Sequence, residues 1–580
     1  MYRITKKLFS IFNRAQKIRI GIIFVLMIIG AGFETIGVSL IVPLMTTLMK
    51  PDFFTTDKTT MLIARLLDLH SPKTYVMALL LGMIVVYILK NIFLYLEYYV
   101  QQRFICNNRV YMQHRIMRSI LMRPYEYFLG TTTGEIQRTI ISDVEGVFGL
   151  LNNFMLLSTE TVVGMVLVVA IFVINPFMAL LVFIIIMIEV MAIGFVIKPL
   201  MHKNGEKLRD VNAGLNKWII QAVSGIKETK VNEKEGFFLT NYQRYAKDNA
   251  KITCQVSVLG NVPRLIIEAV TISAMLGLIV ILLFRGESVE NLMPQLSAFA
   301  VAAVRLLPSA NRISSAANAL PGGEPSLDAL IATLNEVNEW EASTKKEKKD
   351  ENTHFTVEHE CRMSHVTFAY SNSDKNILED ASMVIPAGKS IGIIGPSGSG
   401  KTTTVDLLLG LLKAQKGSIT ADGVSITENY SEWLSKIAYI PQSIYMIDDT
   451  IAANVAFGED PDDYDYERVR AALKMARLTE LIAELPDGID TQIGERGMRL
   501  SGGQRQRIGI ARALYTNPSI LVFDEATSAL DNETEEAIME SINSLRGQKT
   551  MIMIAHRLTT VKDCDIIYKV ENGKITGTTL

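Results

Sequence analysis

The sequence predicts a chain in two parts: an α-helical membrane domain of six transmembrane helices, followed by an α/β P-loop nucleotide-binding domain. Three observations predict it. The 580 residues are 49% hydrophobic with a mean hydropathy of +0.24, yet roughly the last 240 residues have the composition of an ordinary soluble domain, so the apolar excess sits in the first half. That half contains six apolar stretches. After them, in order, come G-P-S-G-S-G-K-T-T (Gly395–Thr403), L-S-G-G-Q (Leu500–Gln504) and I-L-V-F-D-E (Ile520–Glu525).

The six stretches run over Ile18–Leu48, Thr74–Val100, Val147–Val173, Phe177–Leu200, Leu265–Phe284 and Glu290–Leu307. Several exceed the ~20 residues that cross a hydrocarbon core, so those helices tilt or continue beyond it. Arg3, Lys6, Lys7, Arg14, Lys17 and Arg19 surround the start of the first span without an acidic residue, which places the N-terminus in the cytoplasm. Six crossings then bring the C-terminus to the same side, where ATP is. A cleaved signal peptide fits poorly, because the apolar run is too long and no small-residue cleavage site follows it.

Connections alternate in length. Asn175-Pro176 and Arg285–Ser288 read as tight outer turns, whereas Gln101–Gly146 and Met201–Arg264 are long, polar and helix-compatible, as if the spans continue into the cytoplasm and present their turns to the ATP-binding domain. In Thr59–Leu69, Leu62, Leu66 and Leu69 recur at helical spacing. A short external helix at the membrane surface and a structured loop are both open readings. Pro321–Gly323 reads as a turn and the charged run Thr344–Asn352 as solvated linker. The expected division is therefore membrane domain 1–320, linker 321–352 and nucleotide-binding domain 353–580. A net charge of −2 argues against nucleic acid as a partner. Cys106, Cys254, Cys361 and Cys564 are scattered, which suggests free thiols rather than a zinc site or disulfide framework.

The first string is a P-loop in its required context, since Lys389–Ile394 reads as a strand and Val405–Leu412 as a helix. Gly395, Pro396, Ser397, Gly398, Ser399, Gly400, Lys401, Thr402 and Thr403 would cradle phosphates with backbone N–H groups and a helix N-terminus. Lys401 would reach the β- and γ-phosphates and Thr402 would ligate Mg²⁺. The cofactors implied are ATP and Mg²⁺. Asp524 ends an apolar strand, where it would hold the Mg²⁺, and Glu525 follows as the candidate general base.

Together with Tyr370, Gln442 in Y-I-P-Q, Gly494–Gly497 (G-E-R-G), Ser528–Asp531 (S-A-L-D) and His556, these strings resemble the ABC transporter nucleotide-binding domain. With six preceding spans the chain resembles a half-transporter of the ABC exporter type in a bacterial cytoplasmic membrane. The resemblance implies that Tyr370 stacks on adenine, His556 contacts the γ-phosphate, and Gln442 ligates the metal and reports the phosphate to the membrane helices. It implies that Asp531 belongs to the nucleotide site. It also implies that Ser501, Gly502, Gly503 and Gln504 of one subunit complete the ATP site of another, so the chain must pair. Intact motifs favour a homodimer; a separate partner stays open. Arg496 falls near the expected dimer and coupling contacts or is a plain surface arginine.

Charges inside spans are the clue to the substrate, because a membrane helix tolerates them only when paired, snorkelling or facing a cavity. Lys90, Arg264, Arg305 and Arg312 all fall toward the inner leaflet, and a basic ring there would hold an anionic head group such as a pyrophosphate. Snorkelling explains them equally well, and Glu268 is spaced to pair Arg264. The strings Val262–Glu268, Arg305–Ile313 and Phe33–Pro43 resemble the PglK-type flippases of polyprenyl-pyrophosphate-linked oligosaccharides, although Lys90 stands where that subgroup is expected to carry arginine. Glu34, mid-span, reads either as a packing group or as part of a gate. A lipid-linked glycan is thus the leading substrate, with a drug, another lipid or a peptide as the alternative. A regulatory ATPase that transports nothing is the reading from another class.

Overall fold

The computed structural model describes residues 2–39, 71–174, 176–284, 289–346, 354–355, 357–371, 373, 375–525, 535–536, 539, 545–555 and 561–578. The chain divides into two compact units: Met1–Arg123 with Thr131–Ser343, and Pro124–Gly130 with Thr344–Leu580.

The first unit is helical: α1 (Tyr2–Ser10), α2 (Arg14–Ser39), α3 (Pro72–Leu121), and, leaving aside α4 (Tyr125–Gly130) of the second unit, α5 (Val144–Ile174), α6 (Pro176–Ser224), α7 (Ile226–Val231), α8 (Glu235–Phe284) and α9 (Val289–Lys346). The six expected spans fall on α2, α3, α5, α6, α8 and α9. At 50 residues each, α3 and α8 are about 75 Å long, more than twice a hydrocarbon core, so the spans do continue as helices through the polar loops. The start of α3 is fixed by a capping box between Ser71 and Thr74 with Pro72 at the first helical position. The external segment Thr59–Leu69, the residues of the outer turns at Asn175 and Arg285–Ser288, and residues 40–48 of the first span lie outside the described residues.

Residues 321–346 differ from expectation. They are helical throughout, so Pro321–Gly323 is no turn and the linker reading fails for this stretch; residues 347–352 lie outside the described residues. Pro321-Gly322-Gly323 is instead a close helix crossing. A Cβ added at Gly323 would come within 2.9 Å of Leu150 on α5, one at Gly205 on α6 within 3.3 Å of the Gly322 Cα, and one at Gly146 on α5 within 2.9 Å of Ser326 Oγ. Small residues let three helices touch there. Pro325 has no N–H to offer the Pro321 carbonyl, and His202 Nδ1 lies 3.4 Å from that oxygen. Ion pairs strap the same stretch to its neighbours: Lys7 Nζ to Glu324 (3.1 Å) and Asp328 (2.6 Å), and Arg115 to Glu341 (2.9 Å). Arg115 also donates to Asn338 Oδ1 at 2.6 Å. Residues 321–343 therefore belong to the bundle.

The second unit is built on two sheets. A six-stranded sheet has the order β10-β9-β3-β8-β7-β6 and a four-stranded antiparallel one the order β2-β1-β4-β5. Their strands are β1 (Glu360–Phe368), β2 (Leu378–Pro386), β3 (Ser390–Ile394), β4 (Lys416–Ala421), β5 (Val424–Ser425), β6 (Ile437–Ile440), β7 (Ile520–Asp524), β8 (Thr550–Ile554), β9 (Ile566–Glu571) and β10 (Lys574–Thr578). Strands β7 and β8 are buried at every position, as their unbroken apolar sequences require of parallel strands covered on both faces. The four cysteines are free thiols.

Gly323→Val should lower stability by about 1–3 kcal/mol, the usual cost of overpacking. Thermal unfolding of the purified protein measures it, and an unchanged Tm would mean the crossing is loose.

Candidate functional site

The site is assembled by the parallel strands of the larger sheet. Strand β8 pairs with β3 on one side and β7 on the other, and Ile554 lies level with both Ile393 and Asp524. Strand β6 pairs with β7, with Ile440 beside Phe523. All four run the same way, so the loop after β3 and the residues following β6 and β7 emerge at one edge, the position where open parallel sheets bind ligands.

The loop after β3 leads into α10 (Lys401–Leu408), and its backbone can be made only with glycine. Gly395, Gly398 and Gly400 have φ of 156°, 75° and 101°. At Gly395 a Cβ would also run into the Val570 carbonyl oxygen. Lys401 is buried to 6% exposure and its ammonium donates to the Gly395 and Pro396 carbonyls at 2.9 and 3.0 Å. Burial lowers its pKa, while the carboxylates of Glu525 and Asp524 act against that shift. Ser399 Oγ is buried with no hydrogen-bond partner among the described residues. An orphaned hydroxyl, a buried ammonium held over loop carbonyls and a glycine-only curl fit a nucleotide's phosphates.

Opposite the loop stand the carboxylates. Asp524, 7% exposed, accepts a hydrogen bond from the Tyr439 hydroxyl at 3.0 Å. Glu525 sits at φ +52°, a left-handed conformation rare outside glycine, and its N–H donates to the Ile554 carbonyl at 3.1 Å. Gln442 Nε2 donates to Glu525 Oε2 at 2.8 Å, so these two candidates meet directly. Tyr370 packs edge-on against Phe368, and its hydroxyl lies 3.1 Å from Thr403 Oγ1 at the base of the loop. Thr402 is exposed beside Lys401. Asp531 and His556 lie outside the described residues.

The signature string begins α12 (Gly502–Tyr515). Ser501 and Gln504 form a reciprocal capping box: Ser501 Oγ accepts from the Gln504 N–H at 3.2 Å and Gln504 Oε1 accepts from the Ser501 N–H at 2.8 Å. Ser501 and Gly502 are exposed, and Gly503 and Gln504 partly so. Arg496 is exposed, with φ +52°.

Three participants were missed in the sequence. Tyr439 is held by Asp524, and its position two residues before Pro441 on a strand beside β7 was the available signal. Asp406, one turn past Thr402, is pushed up to about 6 by burial and then by the Asp524 charge; the signal was a lone carboxylate in T-T-T-V-D-L-L-L. Tyr125 of α4 belongs to this unit, and its hydroxyl is raised by burial and by the charges of Asp406 and Tyr370.

Among the described side chains, the cations singled out in the membrane unit do not share one environment. Lys90, 6% exposed, lies 3.9 Å from Glu34. Arg312 Nη1 donates to Glu160 Oε1 at 2.6 Å, joining α9 to α5. Arg264 and Glu268 are both exposed, and among the described residues no ion pair joins them. Arg305 lies on α9, with its side chain outside the described residues.

Comparison with known proteins agrees with this geometry. Residues 378–528 match the ABC transporter family model and residues 10–301 the ABC transporter transmembrane region. The chain belongs to the ABC transporters, with an exporter's arrangement of helical transmembrane domain followed by nucleotide-binding domain, and it couples ATP hydrolysis to transport. It is 30% identical over 485 residues to an ATP-dependent lipid A-core flippase of Burkholderia pseudomallei (strain 1710b), a match covering 83% of this chain and 79% of that protein. Over 215 residues, 37% of each chain, it is 44% identical to an uncharacterized ABC transporter ATP-binding protein of Bacillus subtilis (strain 168). Among solved structures it resembles a bacterial Atm1-family ABC exporter with ATP bound: the TM-score is 0.71 at 23% identity, covering 97% of this chain and 95% of that one.

Glu525→Gln should leave ATP binding intact and reduce steady-state hydrolysis by at least ~100-fold, the usual share of a general base. A turnover assay beside nucleotide-binding measurements reads both, and near-normal turnover would remove Glu525 from that role. Asp406 gives a pH test. Its folded pKa of about 6 exceeds the ordinary carboxyl value near ~4, so the native state gains stability as pH falls through 6 and carries a cost above it. Asp406→Asn should therefore raise Tm at pH 7.5 in Mg²⁺-free buffer, and by less at pH 5; equal shifts at the two pH values would contradict the assignment.

Proposed function

We propose that the chain is an ATP-driven flippase that works as a homodimer in a bacterial cytoplasmic membrane, with both termini in the cytoplasm, and moves an anionic glycolipid from the inner to the outer leaflet. Mg²⁺ would be held by Thr402, Gln442 and Asp524, with Tyr370 on the adenine and Asp531 and His556 completing the nucleotide's surroundings. Ser501, Gly502, Gly503 and Gln504 would serve the partner's ATP. Their exposure at a helix N-terminus, where a second subunit's phosphates could reach them, supports pairing.

The observation that carries the substrate class is the Arg312–Glu160 pair. A cation on the sixth span's helix is kept ready by a carboxylate of the third, and its side chain is still 54% exposed. An anionic head group recruited there, with Lys90, Arg264 and Arg305 as further cations, suits a polyprenyl-pyrophosphate-linked oligosaccharide. The lipid A-core flippase relatives, matched across both domains, favour a second reading: a phosphorylated glycolipid of the lipid A type. Both substrates join phosphate, sugar and long acyl or prenyl chains.

Purified protein in proteoliposomes, given ATP and either a fluorescent lipid-linked oligosaccharide or a fluorescent lipid A, separates the two. Translocation of the first supports the glycan reading and of the second alone the lipid A reading; neither, beside full ATPase activity, overturns both. Arg305→Ala should lose at least ~10-fold in flipping while basal hydrolysis stays within about twofold, as loss of a charge-assisted contact to a head group implies. Undiminished flipping would end the basic-site argument.

A further inference from the structure

Helix α12 does more than present the signature string. Three turns beyond Ser501 it carries Arg512, 11 residues and about 16 Å along the helix. Its guanidinium reaches across to the segment that follows Gln442. Nε donates to the Asn454 carbonyl at 2.8 Å, Nη1 to the Tyr445 carbonyl at 2.9 Å, and Nη2 to Asn454 Oδ1 at 3.2 Å. The guanidinium carbon lies 4.4 Å from the centre of the Phe457 ring. Burial pushes its pKa down to about 10, which leaves it charged at neutral pH.

The receiving segment is itself braced. Asn454, at 0% exposure on α11 (Ile451–Val455), accepts from the Ile447 N–H at 3.0 Å and donates to the Ile447 and Thr450 carbonyls at 3.1 and 2.9 Å. A second contact is steric. A Cβ on Gly509 of α12 would lie 2.5 Å from Ile444 Cδ1, so the helix backbone rests directly on a residue two positions past Gln442. Gln442 holds Glu525 at 2.8 Å. The path from the attacking-water base to the signature string thus runs through one short loop and one helix, fastened by one planar fork. Only arginine spans two carbonyls and an amide oxygen at once while stacking on a ring; a lysine point charge cannot.

We propose that Arg512 is a positioning residue that locks the segment after Gln442 to the signature-string helix, so that Gln442 and L-S-G-G-Q of one subunit move as one body. Nucleotide arriving at a subunit's own loop would then reposition the string it offers to its neighbour. The lock is independent of the transported substrate, and failure of the flippase reading leaves it untouched.

The test is Arg512→Lys in the full-length protein, assayed for ATP turnover, thermal stability and amide hydrogen exchange with and without MgATP. The expected result is a KM for ATP within about twofold of native, kcat lowered about tenfold, and MgATP-dependent protection of residues 443–449 and 501–505 that no longer changes together, residues 443–449 still responding while the change at residues 501–505 is diminished. Native kcat with coordinated protection of both segments would overturn the lock. So would faster exchange of both segments by the same factor with and without nucleotide, since that is mere destabilisation. If Arg512→Lys fails to fold, Phe457→Leu leaves every hydrogen bond of the guanidinium in place and removes only the ring beneath it. It should lower kcat about threefold with the same uncoupled exchange pattern, and native behaviour there counts against the proposal.

Discussion

Parallel pairing of β3, β8, β7 and β6 is the constraint on which the ATPase depends. In a parallel run every strand ends at the same edge, so residues separated by more than a hundred positions, Lys401 and Glu525 among them, are delivered to one place without any local sequence signal joining them. The strands can lie side by side only because both faces are covered, which demands the unbroken apolar runs of β7 and β8. Apolar sequence on one side of the boundary at Asp524 and carboxylates on the other are therefore two consequences of the same packing. The left-handed turn at Glu525 ends the strand abruptly and aims the carboxylate at Gln442.

A different economy governs the membrane unit. An ion in a low-dielectric setting is tolerated when a counter-ion accompanies it. Lys90 has Glu34 and Arg312 has Glu160, in each case from another helix. These two membrane cations are thus partly neutralised by the protein's own carboxylates. An anionic ligand at Arg312 would have to compete with Glu160, which makes the strength of that ion pair part of any affinity the site has.

The nucleotide site was highly legible because its chemistry is written in contiguous strings: a glycine-only backbone at Gly395–Gly400 and a strand ending in Asp524-Glu525 need no knowledge of the fold to interpret. The first three spans were equally plain, since hydropathy acts over twenty residues at a time, and among the described residues three helices are long and apolar enough to cross a membrane. Tyr439 and Asp406 were obscure because their roles come from a neighbour across the sheet rather than beside them in sequence. The reading of Pro321–Gly323 as a turn applied the local preferences of proline and glycine, which tertiary packing overrode: at a three-helix crossing the same residues are needed for having so little side chain. Glu268 is spaced to meet Arg264, yet spacing on a helix permits a pair without compelling it. The partners of Arg312 and Lys90 lie on other helices, beyond the reach of any periodicity argument.

That crossing gives α9 an uneven stiffness. Fifty-eight residues in one helix make a rod of about 87 Å, and ion pairs from Lys7 to Glu324 and Asp328 and from Arg115 to Glu341 anchor its far end. Within it Pro321 and Pro325 each remove a backbone hydrogen bond, and two glycines between them add no side chain to resist bending. A rod clamped at one end and softened at one level acts as a flexure: thrust applied at the clamp turns into a tilt above the soft level. Arg312 stands less than three turns beyond it, so a bend at that level displaces its guanidinium relative to Glu160 on α5.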